Sequence, residues 1–257
     1  MNINYPILII LLISSFGCKN KPQEKEKLTP NFFKNLYTQE IYSKEEMQEF
    51  VDSLFAKYDS TAKESAHIHF WNHKITQIND SIIQAFKYDF RVGIDYKIRA
   101  KEYKRIGMKI PAKKLRTIYG DSIRIGGKQD KPTVINLWFI GCWGCCAEIP
   151  ALNRLQEKYS GRVNFIALTP DNEKDVRKFV RKQAFNFIHV ASKNDKYEET
   201  SNRPYIKTIE SYPYPETIFV DKDGTIRFVE GMISKVDDID KETKYFEMII
   251  DNLLNEN

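Results

Sequence analysis

The spacing of apolar residues changes period several times along the chain, and each change marks an element. Ile7–Ile13 is an unbroken apolar run, well short of the roughly 20 residues that cross a bilayer. From Lys19 to Lys27 only Pro22 is not polar or charged, so this stretch has nothing to bury and reads as a solvated tether. Ser43 and Glu46 have the spacing of a capping box. Behind them Met47, Phe50, Val51, Leu54, Phe55 and Tyr58 fall on one helical stripe. Ala66–Ile78 and Ser81–Val92 are rich in β-branched and aromatic residues and are separated by Asn79-Asp80, which predicts a hairpin. A short helix is expected over Ile98–Gly107.

From Pro111 the pattern alternates between strand and helix. Leu115–Ile118 and Ser122–Ile125 flank a turn at Tyr119-Gly120-Asp121. Thr133–Ile140 is almost wholly apolar, as a strand covered on both faces should be. Ile149, Leu152, Leu155 and Tyr159 then share a helical stripe ending at Gly161. Val163–Leu168 is a second buried strand, Asn172–Lys182 a polar-faced helix and Phe187–Val190 a short strand. Asp223-Gly224 joins Thr217–Asp221 to Thr225–Val229 in a further hairpin, and Val236–Leu254 closes the chain as an amphipathic helix. A β-α-β unit followed by a hairpin and a helix makes a mixed sheet with helices on its faces.

Charge adds little to this. The net charge of +5 is spread over acidic and basic residues alike, and no basic arm, zinc finger or RNA-binding motif accompanies it, so no nucleic-acid partner is expected. Cysteine placement adds more. Cys18 stands alone, whereas Cys142, Cys145 and Cys146 lie together. A disulfide scaffold would spread its cysteines, and a structural zinc site would need a second ligand pair. The cluster therefore reads as chemistry. It sits where a buried strand turns into a helix, and the unpaired N–H groups and dipole of a helix start stabilise an anion by about 0.3–1 kcal/mol. A thiolate there can have its pKa lowered from about 8.5 into the range of roughly 3.5–7.5, and the thiolate is the attacking species in disulfide exchange.

Lys131–Leu155 (KPTVINLWFIGCWGCCAEIPALNRL) resembles the active-site segment of the thioredoxin superfamily in its TlpA/ResA-like exported branch. The similarity runs over roughly Pro111–Asn257. It implies a thioredoxin fold, and a thiol–disulfide oxidoreductase with a redox-active pair at Cys142 and Cys145. Cys142 would be the nucleophile and Cys145 the resolving thiol. Pro150 matches the helix-kinking proline of the fold, Glu148 a glutamate that this branch carries beside its cysteines, and Pro215 the cis-proline that presents backbone to a substrate. Pro213 competes with Pro215 for that place, and the phase of the following strand favours Pro215. The dipeptide between the cysteines is Trp143-Gly144 where the family usually has Gly-Pro, and Gly141 stands where it usually has Trp. Asn136 occupies the position of the buried Asp of cytoplasmic thioredoxins, which leaves Glu148 as the group to move the proton of Cys145. Cys146 has no family role. The family implies disulfide-containing exported proteins as substrates, reduction as the expected direction, a membrane electron donor and no cofactor.

Gly17-Cys18 after the apolar run resembles a bacterial lipobox, in which Cys18 is lipidated. The expected organisation is thus a signal peptide (1–17), a tether (18–27), a small α+β extension (28–108) and an α/β thioredoxin-like domain (109–257). The protein would be lipid-anchored in the bacterial cell envelope, facing the periplasm. A Sco-like copper metallochaperone is the alternative, using Cys142, Cys146 and His189 as soft ligands. A peroxiredoxin would need Pro and Thr where Ile135 and Phe139 stand before Cys142. His67, His69 and His73 fall within seven residues, but no Cys or carboxylate completes a metal set, and they read as surface polar residues.

Overall fold

The computed structural model describes residues 28–58, 66–100, 104–193, 202–209, 214–232 and 239–255. The apolar leader, Cys18, the tether and Pro213 lie outside them. The chain forms two compact units, one holding residues up to Met47 with Asn72–Phe86, the other Gln48–Trp71 with Lys87 onwards.

The smaller unit is built around β1 (Phe32–Asn35), which pairs antiparallel with β2 (Ile41–Tyr42) and parallel with Ile83–Phe86 of β4. The capping box forms as the spacing requires: Ser43 Oγ accepts from Glu46 N–H at 3.2 Å and Glu46 Oε2 from Ser43 N–H at 2.7 Å. It opens α1 (Lys44–Lys57). β3 (Ala66–Ile78) and β4 (Ser81–Val92) meet at Asn79-Asp80, with Asn79 at φ 51°. Asn tolerates that left-handed conformation better than most residues.

In the larger unit Phe50 packs edge-on against Tyr88 and Phe55 against Phe90, so the α1 stripe covers β4. Of the helix expected over Ile98–Gly107, the described residues 98–100 and 104–107 are not helical. Instead Gly93, at φ 60°, turns the chain back, and β5 (Asp95–Ile98) pairs antiparallel with β4. Tyr96 and Ile98 are half-buried while Asp95 and Lys97 are exposed, a two-residue period that suits a strand. Residues 104–107 form a turn, and Gly107 N–H is taken by Ile226 O at 2.7 Å.

β6 (Lys113–Arg116) and β7 (Ser122–Ile125) make the small hairpin, and the central sheet has the order β10-β9-β8-β11-β12. β8 (Thr133–Leu137), β9 (Asn164–Asn172) and β10 (Ile188–Lys193) are parallel; β11 (Glu216–Val220) and β12 (Ile226–Glu230) run antiparallel to their neighbours. Gly224, at φ 80°, makes the β11–β12 turn, where an added Cβ would lie 2.7 Å from Gly127 O. Alternation along β8 sends Val134 into one core layer, with Leu152, Leu155, Phe219 and Ile249 from β11, α2 (Trp143–Lys158) and α5 (Ile239–Asn255). It sends Ile135 and Leu137 into the other, with Ile206 and Ile209 of α4 (Arg203–Ile209). A mixed five-stranded sheet with helices on both faces is the thioredoxin fold that the sequence predicts. α4, which has no clear periodic stripe, is not expected from the sequence. α3 (Glu173–Lys182) begins at Asn172 as expected, its side chain accepting from Asp175 N–H at 2.9 Å.

His189, on β10, sits in this core at 3% exposure, against the rings of Trp138 and Phe185. Burial lowers its pKa from the usual 6.5 to about 4, because the charged form is the one desolvation penalises. The unfolded chain then takes up a proton between pH 6.5 and 4 that the folded chain does not. Stability should therefore fall as pH drops through this window, by an amount on the order of 3 kcal/mol. Urea unfolding at pH 7 and pH 4 should show a larger loss for the wild type than for His189→Leu. Equal losses in the two proteins would show that His189 does not carry this dependence.

Candidate active site

β8 delivers the chain to the site. The strand ends at Leu137, three residues before the end of the apolar run; Trp138 N–H still donates to Leu168 O of β9 at 3.2 Å, and the backbone beyond it finds other partners. Ile140 N–H donates to Asp171 Oδ2 at 2.8 Å, and Cys142 N–H turns back to Phe139 O at 3.0 Å. Thr169 Oγ1 donates to the same Asp171 oxygen at 2.9 Å and fixes it. The chain thus arrives at Cys142 in extended conformation, φ −82° and ψ 105°, as the N-cap of α2.

Cys142 and Cys145 are joined as a disulfide. Cys145 N–H points at Cys142 Sγ, 3.0 Å away, so the sulfur does the work that a Ser or Asp oxygen does at other helix starts. Both sulfurs are shielded, with Cys142 at 8% exposure and Cys145 at 2%. Trp143 between them is 70% exposed. Gly144 lies close under Met232 and Pro215: an added Cβ would lie 2.7 Å from Met232 Sδ, which would have to shift, and 3.4 Å from Pro215 Cδ. The Tyr214–Pro215 peptide bond is cis, and Tyr214 packs edge-on against Phe139. Pro215 and Met232 therefore close over the Trp143-Gly144 turn. Pro150 lies inside α2. With no N–H to give to Cys146 O four residues earlier, it leaves that carbonyl to the side chain of Gln183, at 3.4 Å.

Glu148 is 1% exposed and not a surface carboxylate. It lies three residues after Cys145, a spacing that places both on one helix face. Its Oε1 accepts from Asn136 Nδ2 at 2.9 Å, and the same amide donates to Thr217 Oγ1 at 3.2 Å. β8, α2 and β11 are thereby tied at one buried point. Glu216, beside Pro215, is 2% exposed and paired with Arg105, which also donates to Ile209 O. Cys146 is half-buried, with its thiol 3.8 Å from Ile140 O, and burial raises its pKa. It is thus a poorer nucleophile than an exposed thiol.

His189 does not reach the cysteines as a ligand. One ring nitrogen lies 2.9 Å from Phe185 O, in the aromatic core. Among the described residues no group of three His, Cys, Asp or Glu side chains is placed to hold a metal. The sequence reading did not single out Asp171, Thr217, Arg105 or Met232. Asp171 alone had a usable signal, as a carboxylate just past a buried parallel strand, where ligands and functional groups gather in open α/β sheets.

The AhpC/TSA family profile matches residues 106–229. The thiol:disulfide interchange protein DsbE of Pseudomonas fluorescens biotype C is 30% identical over 149 residues, 57% of this chain and 78% of its own. The thiol-disulfide oxidoreductase ResA of Bacillus thuringiensis subsp. konkukian is 30% identical over 129 residues, 49% of this chain and 69% of its own. Among solved structures, the thioredoxin-family thiol:disulfide interchange protein of Chlorobium tepidum TLS overlaps 60% of this chain at 15% identity and a TM-score of 0.45, covering 100% of its own. With a cysteine pair capping a helix and relatives of this kind, the chain belongs to the thioredoxin-like AhpC/TSA family, among its thiol–disulfide oxidoreductases.

Proposed function

We propose that the protein reduces disulfides in exported polypeptides through Cys142 and Cys145. The observation that carries this reading is the seat of Cys142 Sγ on the Cys145 N–H at the start of α2. On reduction that N–H would donate to a thiolate, and a charge-assisted bond of this kind is about twice as strong as a neutral one. The Cys142 thiolate attacks one sulfur of the substrate disulfide; a mixed disulfide forms and one substrate thiolate leaves. Cys145, deprotonated, attacks Cys142 Sγ and releases the second substrate thiolate. Two electrons pass to the substrate and the enzyme is left as the disulfide. A dithiol donor must then reduce it, and a membrane partner suits a protein outside the cytoplasm.

In this reading Glu148 accepts the proton of Cys145, supported by its position three residues on in α2 and its burial away from bulk water. Pro215, against Gly144, offers its neighbouring backbone to the substrate chain. Export and lipidation at Cys18 rest on the apolar run and the Gly17-Cys18 pair. No described helix is long and apolar enough to cross a membrane.

Supplied in reduced form, the wild type should reduce a model disulfide protein. Cys145→Ser should accumulate mixed disulfides visible on non-reducing gels, because the attacking sulfur remains and the releasing one is gone. Cys142→Ser should trap nothing at neutral pH. Trapping by Cys142→Ser alone would reverse the two roles.

Glu148→Gln should slow release of the second substrate thiol by about 100-fold at neutral pH, within the usual range for general base catalysis. It should leave the first thiol's release nearly unchanged and shift the pH–rate profile of the slow step. A profile identical to the wild type would remove Glu148 from proton transfer. For the anchor, Cys18→Ala should move the protein from the membrane fraction to the soluble one, and unchanged partitioning would exclude lipidation there.

A further inference from the structure

Three large apolar side chains stay exposed around the turn between the cysteines: Trp143 at 70%, Trp71 at 41% and Met232 at 40%. Trp143 belongs to the turn itself. Met232 closes over Gly144, and Trp71 of β3 lies on the residue before Met232, with its ring 4.0 Å from where a Cβ on Gly231 would be. All three are in the larger unit. Single exposed apolar residues are ordinary on a soluble protein, whereas a group of adjoining ones marks a surface that something covers. Neither Trp71 nor Met232 falls within residues 106–229, which the family profile matches, so this wall of the site lies beyond the matched segment.

Trp71 is held in place. Its Nε1 donates to Asp89 Oδ2 at 2.7 Å, and His69 packs edge-on against its ring with centroids 4.6 Å apart. With its one polar atom engaged, the indole has only ring carbon left to offer. A ring already fixed loses little side-chain freedom when a partner covers it, and Trp is a frequent anchor at interfaces. The polar groups beside it are engaged as well. Asp89 also accepts from Ala100 N–H. Glu230 accepts from Tyr96 Oη at 2.8 Å, Tyr245 Oη at 3.2 Å and Arg99 at 3.1 Å. Arg91 lies over the Tyr245 ring at 3.5 Å, gives an N–H to Gly93 O and stands close enough to Glu230 to favour its charged form. The two guanidiniums and the two carboxylates therefore balance, and what the surface leaves unmatched is apolar.

We propose that Trp71 and Met232 receive a large apolar side chain, such as Phe or Leu, of the polypeptide whose disulfide lies at Cys142, and so help to select substrates. A polypeptide whose sulfur reaches Cys142 runs beside this turn, which commits the surface to the substrate chain. The proposal rests on the exchange reading above and adds the substrate's chemistry to it. A chain spans up to about 3.3–3.6 Å per residue, so the apolar residue would stand a few positions from the substrate cysteine.

The test uses the full protein and synthetic peptides with one cystine and one Phe, moved through the three positions on either side of a cysteine. Matched peptides carry Ser or Glu in its place. Exchange is followed with the cystine peptides, and binding with copies in which Ser replaces Cys, which cannot react. At one or more positions the Phe peptide should bind roughly tenfold tighter than its Ser and Glu partners, the lower end of what burying one such side chain supplies. The preference should persist as salt rises and fall to about twofold or less in Trp71→Gln and in Met232→Gln. Two variants are used because Trp71 also holds Asp89, and urea unfolding reports whether each folds. Equal binding of the three peptides by the wild type would overturn the proposal. So would a preference for Glu, a preference for Phe that salt abolishes, or one kept in both folded variants. Selective binding without exchange of any cystine peptide would support the surface and overturn only the exchange reading.

Discussion

The site depends on one sulfur accepting a backbone N–H at the start of a helix. To put Cys142 Sγ 3.0 Å from Cys145 N, the chain must leave a strand buried on both faces and begin a helix within five residues. The intervening backbone cannot be left without partners in a dry interior, where an unmet polar group costs about 1–3 kcal/mol. Asp171 meets this need from outside the segment, taking Ile140 N–H, while the segment's own Phe139 O takes Cys142 N–H. At the far end of the first turns Pro150 frees Cys146 O, which Gln183 occupies. The segment around the cysteine pair is therefore held by residues 31 and 37 positions from the groups they meet as much as by its own helix.

A second constraint is the burial of charge. Glu148 and Glu216 are both almost wholly inaccessible, and a buried ion pair is at best neutral for stability compared with apolar packing. Glu216, next to Pro215, is matched by Arg105, so the cost of burying it also fixes the strand that carries the proline. Glu148 accepts from the Asn136 amide, which ties α2 to β8.

What could be read from the sequence follows from how local its cause is. The capping box at Ser43, the Asn79-Asp80 and Asp223-Gly224 turns and the stripes of α1, α2 and α5 are set by residues within a few positions of one another, and the sheet order follows from their sequence. The cysteine pair and Pro215 were legible because their types and spacing are particular. The elements that differ were decided at a distance. β5, just before the expected helix, arises because Gly93 turns the chain back onto β4, and Tyr96 and Arg99 meet Glu230, more than 130 residues on. Beyond β8 the backbone is held from a distance, Trp138 N–H by Leu168 O and Ile140 N–H by Asp171, and α4 rests on Ile206 and Ile209 filling a layer made by other strands. No periodicity records such pairings.

The last residue of β12 and the two after it connect a charge cluster to the site. Glu230 faces a cluster of Tyr96, Arg99 and Tyr245; Gly231 lies under Trp71; Met232 closes over Gly144. Three consecutive residues thus serve a charge cluster, an aromatic contact and the cysteine turn. Burial raises the pKa of Glu230, with Arg99 and the two tyrosines opposing the shift. Removing Arg99 would take away the ion-pair partner of this buried carboxyl, and breaking a buried pair from one side typically costs about 3–5 kcal/mol. β5 is therefore not an appendage to the thioredoxin fold in energetic terms. It supplies Tyr96, and the next residue, Arg99, the counter-charge, to the Glu230 that ends β12, two residues before Met232.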